Sequence, residues 1–465
     1  MSLAGVYTET PTIFLQPRPL ARYPGSFVLL PLLPRPRLVK PLPAEVWSKV
    51  LSYVIEDEDG RIGVPVSERR VSLRKRWRLL FVCKPWVEIV LPLLYSNVHI
   101  FTASAFEKFA AHLCSSDRRW DSIRRIPYST PGRWVRGLDL SEMAPSAVES
   151  LSVDTHLTRL FPLLPSLTGL CLTPEMVLSN RALAALQCKD GIGELRLLKG
   201  LKISVPGDLA LVQPTFVAKF DPIAELLWHC PRLEQLEILC TDTINAELES
   251  VMNLDLLGLL RDDGQTLSLP PTLHLPHLRY LSLSAIPICP LLLTLLRTPL
   301  PGLRHIVWTP YSDVDTTPQL GALLAIHGRN LISLSISTPR HLPISLATGD
   351  ARPLALLGSC PELQYLALDH PLPALAAHSD GPPQPHPLRV LTIPRPSARF
   401  LRELEVLLPR LPALTVVRAR TVRWLRAGVS GKALEAGVQG EMHEWRRRFA
   451  RKGVRVVDGE WRDPV

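Results

Sequence analysis

LEQLEI at 233–238, LRYLSL at 278–283 and LQYLAL at 363–368 are copies of one six-residue phrase, and the reading of that phrase decides the fold. It runs apolar residue, two others, Leu, one other, then Leu or Ile. With small departures it returns as VRGLDL at 135–140, LTGLCL at 167–172, LKGLKI at 198–203, LRHIVW at 303–308, LISLSI at 331–336 and LRVLTI at 388–393. The first positions are separated by 32, 31, 35, 45, 25, 28, 32 and 25 residues, and LTVVRA at 414–419 reads as a decayed tenth copy. Two large aliphatic residues two apart point to the same face of a strand. Helix-patterned runs lie between the copies: AELLWHC at 224–230, CPLLLTLLRTPL at 289–300, LGALLAIHG at 320–328 and FLRELEVLLPRL at 400–411. Strand and helix alternate every 25–35 residues or so, and neither can bury its apolar face alone. This predicts stacked units that share one core and a parallel sheet. The alternative is a non-repetitive α/β domain with leucine-rich strands.

The register assigns faces. Leu236, Leu281, Leu334, Leu366 and Leu391 are expected inside one continuous core. Third and fifth positions are expected on the opposite, concave sheet face. In consecutive copies the third position is Gln235, Tyr280, His305, Ser333 and Tyr365, and the fifth is Glu237, Ser282, Val307, Ser335 and Ala367. Aromatic and hydrogen-bonding side chains in a row make a candidate protein-recognition strip. The plainer reading is ordinary outward strand residues, all tolerant of exchange, with Glu237, Ser282 and Ser335 as examples.

Upstream, residues 42–98 read LPAEVWSKVLSYVIEDEDGRIGVPVSERRVSLRKRWRLLFVCKPWVEIVLPLLYSNV. Pro43 suits a first helical turn, where its missing N–H has no partner to lose. Val46, Val50, Leu51 and Val54 then fall on one helical face. A polar loop is expected from Glu56 to Arg70. The second stretch carries Leu79, Leu80, Val82, Cys83, Trp86, Ile89 and Val90 before Pro92, and Pro85 is expected to bend or end a helix there.

The order Leu-Pro-x-Glu-Val, Val-Leu-x-Tyr-Val, Leu-Leu-x-Val-Cys-Lys-x-Trp, Leu-Leu-Tyr resembles an F-box, the helical module that docks a Skp-type adaptor of cullin–RING ubiquitin ligases. The downstream repeats resemble the degenerate leucine-rich repeats of fungal F-box proteins, although the Asn or Cys ladder position is missing. The resemblance implies an α/β chain with an N-terminal helical F-box followed by a leucine-rich-repeat-like solenoid. Its adaptor-binding residues would be Leu42, Pro43, Glu45, Val46, Val50, Leu51, Val54, Leu79, Leu80, Val82 and Trp86. Its client-binding residues would be the third-position row from Gln235 to Tyr365. The expected divisions are a Pro-rich disordered arm at 1–40, the F-box-like module at 41–98, a linker or helical cap at 99–134, the solenoid at 135–420 and a basic C-terminal cap at 421–465.

With 465 residues the chain exceeds what one globular core usually serves, so several domains or a repeat array are expected. Its 46 prolines, about twice the usual share, punctuate short elements. The net charge of +10 resides at the ends: residues 1–40 carry five basic and one acidic side chain, and residues 418–465 carry twelve and six. The stretch between is neutral, so a nucleic-acid-binding body is not expected. In the tail, Leu434, Met442, Trp445 and Phe449 fall on one helical side beside Arg446, Arg447 and Arg448, and VRVV at 454–457 is a candidate closing strand. The arginine cluster is otherwise a site for acidic partners or nucleic acid.

Eight scattered cysteines contain no C-x-x-C pair and no zinc spacing. Cys230 and Cys360 read as buried apolar residues, and a reducing compartment, cytoplasm or nucleus, is expected. Phe27–Leu33 is too short and proline-broken to span a bilayer, and it makes a poor signal peptide. GVSGKA at 428–433 lacks the first P-loop glycine and the Ser or Thr for magnesium. No metalloprotease, hydrolase or dinucleotide motif occurs, and the acidic run Glu56–Asp59 lacks EF-hand ligand spacing. The expectation is a non-catalytic substrate receptor without cofactor or metal, bound to a Skp-type adaptor and through it to cullin. The alternatives are an F-box scaffold without ligase output, a nucleic-acid-associated repeat protein and, last, an unrecognised enzyme.

Overall fold

Proline marks one recurring point of the chain. The computed structural model describes residues 42–59, 76–118, 130–203, 221–240, 272–286, 289–310, 317–337, 356–368, 385–424 and 437–463. In six repeats a proline stands two residues before the leucine that opens the phrase: Pro165, Pro231, Pro276, Pro301, Pro361 and Pro412. The N–H of that leucine donates to the carbonyl three residues earlier, at 3.1 to 3.3 Å in all six. Proline at the second position of such a turn has its φ preset and gives up no needed donor. The turn then delivers the chain into a strand.

The strands are β1 Asn97–His99, β2 Gly137–Asp139, β3 Gly169–Cys171, β4 Leu197–Ile203, β5 Gln235–Cys240 and β6 Tyr280–Ser284. They continue as β7 His305–Thr309, β8 Ser333–Ile336, β9 Tyr365–Leu368, β10 Val390–Ile393, β11 Val416–Ala419 and β12 Arg455–Val457. All belong to one sheet whose spatial order is the chain order. Every neighbouring pair is parallel.

Two helices, α1 Ala44–Asp59 and α2 Lys84–Ser96, precede the sheet. The crossovers carry α3 Ala103–Arg118, α4 Ala147–Leu160, α5 Asn180–Gln187, α6 Pro222–Trp228, α7 Pro290–Arg297, α8 Thr317–His327, α9 Leu356–Ser359, α10 Ala398–Leu407 and α11 Gly437–Ala450. The strands follow one another in chain order, and the described helices of the crossovers pack their apolar sides into one cluster with the sheet, the arrangement expected of right-handed crossovers that advance the same way. The crossovers from β5 to β6 and from β9 to β10 lie largely outside the described residues. Local chemistry starts several of the helices. Ser146 and Glu149 form a reciprocal cap on α4, Ser179 and Asp221 cap α5 and α6, and Ser397 caps α10.

The core lies between sheet and helices. Leu236, Leu281, Ile306, Leu334, Leu366 and Leu391 are successive register partners. All are essentially fully buried and belong to one continuous apolar cluster that also takes in Cys230 and Cys360. Burying each leucine contributes roughly 1.5–3 kcal/mol. At the far end Met442, Trp445 and Phe449 of α11 join that cluster, with Trp445 stacked on Phe400.

Four local expectations change. The copy LKGLKI at 198–203 is displaced, because Leu198 pairs with Leu170 and Leu236, which makes Leu195 the opening residue. A bulge between Leu198 and Leu201 hid the phase, and Gly200 permits it: its φ is +72°, and a Cβ there would meet the Leu172 carbonyl oxygen at 2.1 Å. Pro85 does not bend or end a helix; it sits in the first turn of α2, after Cys83 in extended backbone. Helix α1 runs on through Glu56–Asp59, since no Gly or Pro interrupts it before Gly60. Asn97–His99, at the end of the expected F-box segment, already forms the first strand of the sheet. The arm at 1–40, the loop residues 60–70, GVSGKA at 428–433 and Leu434 lie outside the described residues. No described helix is long and apolar enough to cross a membrane.

Candidate functional site

Two surfaces carry the candidate residues. The chain divides into two compact units, Met1–Trp47 and Ser48–Val465. In the first, Leu42, Pro43, Glu45 and Val46 are exposed. In the second, Val50 and Val54 are exposed on α1 together with Tyr53, whereas Leu51 is only 2% exposed. The cause is helical geometry: Leu51 and Ile55 point inward at i, i+4, and Val50 and Val54 point outward. Val82 is exposed, and Leu79, Leu80 and Trp86 are half-buried. Trp77, Phe81 and Val87 are exposed as well, Phe81 at 84%. Trp77 and Phe81 were not singled out in the sequence, and Tyr53 entered only as part of the Val-Leu-x-Tyr-Val order, although all three are aromatic and lie within a turn of a named position.

The second surface is the sheet face opposite the helices. Gln235, Tyr280, His305, Ser333 and Tyr365 are consecutive Cα partners on β5 to β9, so the row recurs at about 4.8 Å per strand. His305 is exposed and the other four are half-buried. The Tyr365 hydroxyl accepts a 3.1 Å hydrogen bond from Thr392 Oγ1. Lys199 Nζ stands 5.8 Å from the centre of the Tyr280 ring. Burial, with the charge of Glu237, pushes the Tyr280 hydroxyl pKa up, and burial also raises that of the Glu237 carboxyl, opposed by Lys199.

The fifth-position row runs beside it through Glu237, Ser282, Val307, Ser335, Ala367, Thr392 and Arg418. Ser282 does not behave as a free outward residue. It is 4% exposed, because a short side chain between larger neighbours sinks below their tips. Lys199, Thr392 and Arg418 were missed. Lys199 was hidden by the displaced copy, while Thr392 and Arg418 are the fifth positions of copies already recognised.

At the other end of the same face, His99 Nδ1 and Asp139 Oδ2 lie 3.0 Å apart. Asp139 Oδ1 accepts from both the N–H and the hydroxyl of Ser141, at 3.0 and 2.6 Å. Burial works to raise the Asp139 carboxyl, but these hydrogen bonds and the His99 charge prevail and hold it at about 2. Burial pushes the thiols of Cys171, Cys230 and Cys360 up to about 12, Cys171 with help from Asp139, so none of the three is a thiolate at neutral pH. Among the described residues, no group of three or more His, Cys, Asp or Glu is placed to hold a metal ion. What the arrangement offers is surface: exposed apolar side chains on α1 and at 77–87, and one polar, aromatic strip on the sheet. No protein-family model matches the chain, and no curated protein matches it.

Proposed function

We propose that this chain is the substrate-receptor subunit of a Skp–cullin–F-box ubiquitin ligase. In this reading residues 41–98 form an F-box that binds a Skp-type adaptor, and the repeats form a leucine-rich solenoid that holds a protein client. The observation that carries it is the density of exposed apolar side chains in one short stretch: Val50, Tyr53 and Val54 on α1, then Trp77, Phe81, Val82 and Val87. Large apolar groups left in water at such density mark a docking surface. They coincide with the segment whose residue order resembles the F-box. The receptor itself performs no chemistry. It raises the effective concentration of a client lysine near the charged conjugating enzyme.

The polar, aromatic row from Gln235 to Tyr365 is the client-facing surface in this reading. Partners are the adaptor, cullin through it, and a protein client, with no nucleic acid, membrane or cofactor, in the cytoplasm or nucleus. The test is co-purification of the full chain with a purified Skp-type adaptor. Retention supports the F-box, and its absence removes it. Recovery of cullin and of a ubiquitylated client distinguishes a working receptor from a scaffold without ligase output.

A further inference from the structure

Trp461 is one of two described residues other than glycine with a positive φ, +64°, and its ring is 49% exposed. A bulky side chain in left-handed backbone persists only where its surroundings impose it. Here Asp458 imposes it. Its carboxylate is nearly fully buried; Oδ1 accepts from the N–H groups of Glu460 and Arg462 at 2.9 and 2.8 Å, and Oδ2 accepts from Trp424 N–H at 3.2 Å. The Trp461 N–H donates to the Asp458 carbonyl at 3.1 Å. The loop is therefore fixed, and it displays an aromatic ring.

Arg418 lies over this ring, its guanidinium carbon 4.7 Å from the ring centre. One guanidinium nitrogen donates to the Gly459 carbonyl. Its Nε is buried without an acceptor among the described residues. The neighbouring carboxylates are engaged elsewhere. Glu460 pairs with Arg423 and Arg462, Asp463 with Arg455, and Asp458 with the three backbone donors. Among the described residues Arg418 thus has no carboxylate partner. Its position in the fifth-position row places it on the sheet face opposite the helices, next to Thr392, which bonds Tyr365.

We propose that Arg418 and Trp461 form a recognition site for an acidic segment of peptide. A carboxylate neutralises the guanidinium through charge-assisted hydrogen bonds while the adjoining peptide lies on the indole. A peptide fits better than a nucleic acid. The fifth-position row continuing from this site carries no charged side chain from Thr392 to Ser282 and then meets Glu237, whereas a phosphate backbone needs repeated cations. This inference rests on the receptor reading only in calling the peptide a client segment.

The experiment uses the full chain and a fluorescein-labelled octaglutamate peptide, read by anisotropy at low and high salt. Octalysine and an eight-residue single-stranded oligothymidylate run alongside it. The variants are Arg418→Gln, which removes the charge, and Trp461→Gly, which removes the ring and accepts the positive φ without strain. Wild type is expected to bind octaglutamate in preference to both other probes, more weakly as salt rises, and each variant to lose about tenfold or more. No binding of octaglutamate by wild type, or undiminished binding by both folded variants, overturns the site. Oligothymidylate binding as tight, with the same losses, overturns the peptide assignment. Adaptor pull-down on the same preparations tests the receptor reading separately, because neither substitution touches residues 42–96.

Discussion

His386 holds one repeat together in place of a backbone turn, and removing it tests whether these turns secure the repeats. The turn that precedes β2 to β9 and β11 is absent before β10. Instead Leu388 N–H donates to His386 Nδ1 at 3.2 Å, which leaves the proton on Nε2, and Nε2 donates to the Cys360 carbonyl at 2.9 Å. His386→Ala therefore takes a bond from each of two buried groups. The Cys360 carbonyl keeps its bond from Leu363 N–H and loses the net worth of one bond, about 1 kcal/mol, whereas the Leu388 N–H loses its partner, costing roughly 1–3 kcal/mol. The expected local loss of about 2–4 kcal/mol means about 30- to 1,000-fold faster amide exchange for the peptide containing Leu388.

Acid should act in the same direction. Burial pushes the His386 pKa below its ordinary value. The folded state then binds the proton less readily than the unfolded chain, whose imidazole titrates near about 6.5. The contribution is fully present above that value and is lost as pH falls through the folded one, because a proton on Nδ1 would face the Leu388 N–H. After correction for intrinsic rates, wild type should lose protection in this segment between pH 7.5 and 5.5, and His386→Asn should lose much less. Hydrogen–deuterium exchange by mass spectrometry reads both. Unchanged exchange in His386→Ala, or equal acid sensitivity in wild type and His386→Asn, would refute the reasoning.

Replacing Leu42 and Pro43 together with Ala should weaken adaptor binding by about thirtyfold or more and leave thermal unfolding of the sheet unchanged; a pull-down with purified adaptor checks it. Leu51→Ala should act differently, lowering stability by about 2–5 kcal/mol through a cavity, because that side chain is buried. Leu366→Ala should cost a similar amount in urea titration, while Ser335→Ala stays within about 0.5 kcal/mol. Tyr280→Ala with Tyr365→Ala should abolish client capture in affinity purification while adaptor binding persists; an unchanged client list would place recognition elsewhere.

The spacing of Leu236, Leu281, Leu334 and Leu366 was readable because a strand's two-residue period is local, and each repeat states it again. Helix α11 and strand β12 were readable for the same reason. LKGLKI was misphased because a bulge changes the local count, and Gly200 alone does not announce one. Pro85 was misread because proline opens a helix as readily as it breaks one. Only the preceding Cys83 in extended backbone decides which.

By itself the sequence determined an α/β chain of repeated strand–helix units, their order, and which leucines face inward. These follow from periodicity, which each short segment carries within itself. Tertiary structure alone decided that Leu51 is withdrawn from the exposed face of α1, that Ser282 sinks between its neighbours, and that Trp461 is held in left-handed backbone over Arg418. Each of these depends on groups distant in the chain, as the bond from Trp424 to Asp458 shows. Burial, strain and unneutralised charge are properties of what surrounds a residue, and those surroundings exist only once the chain has folded.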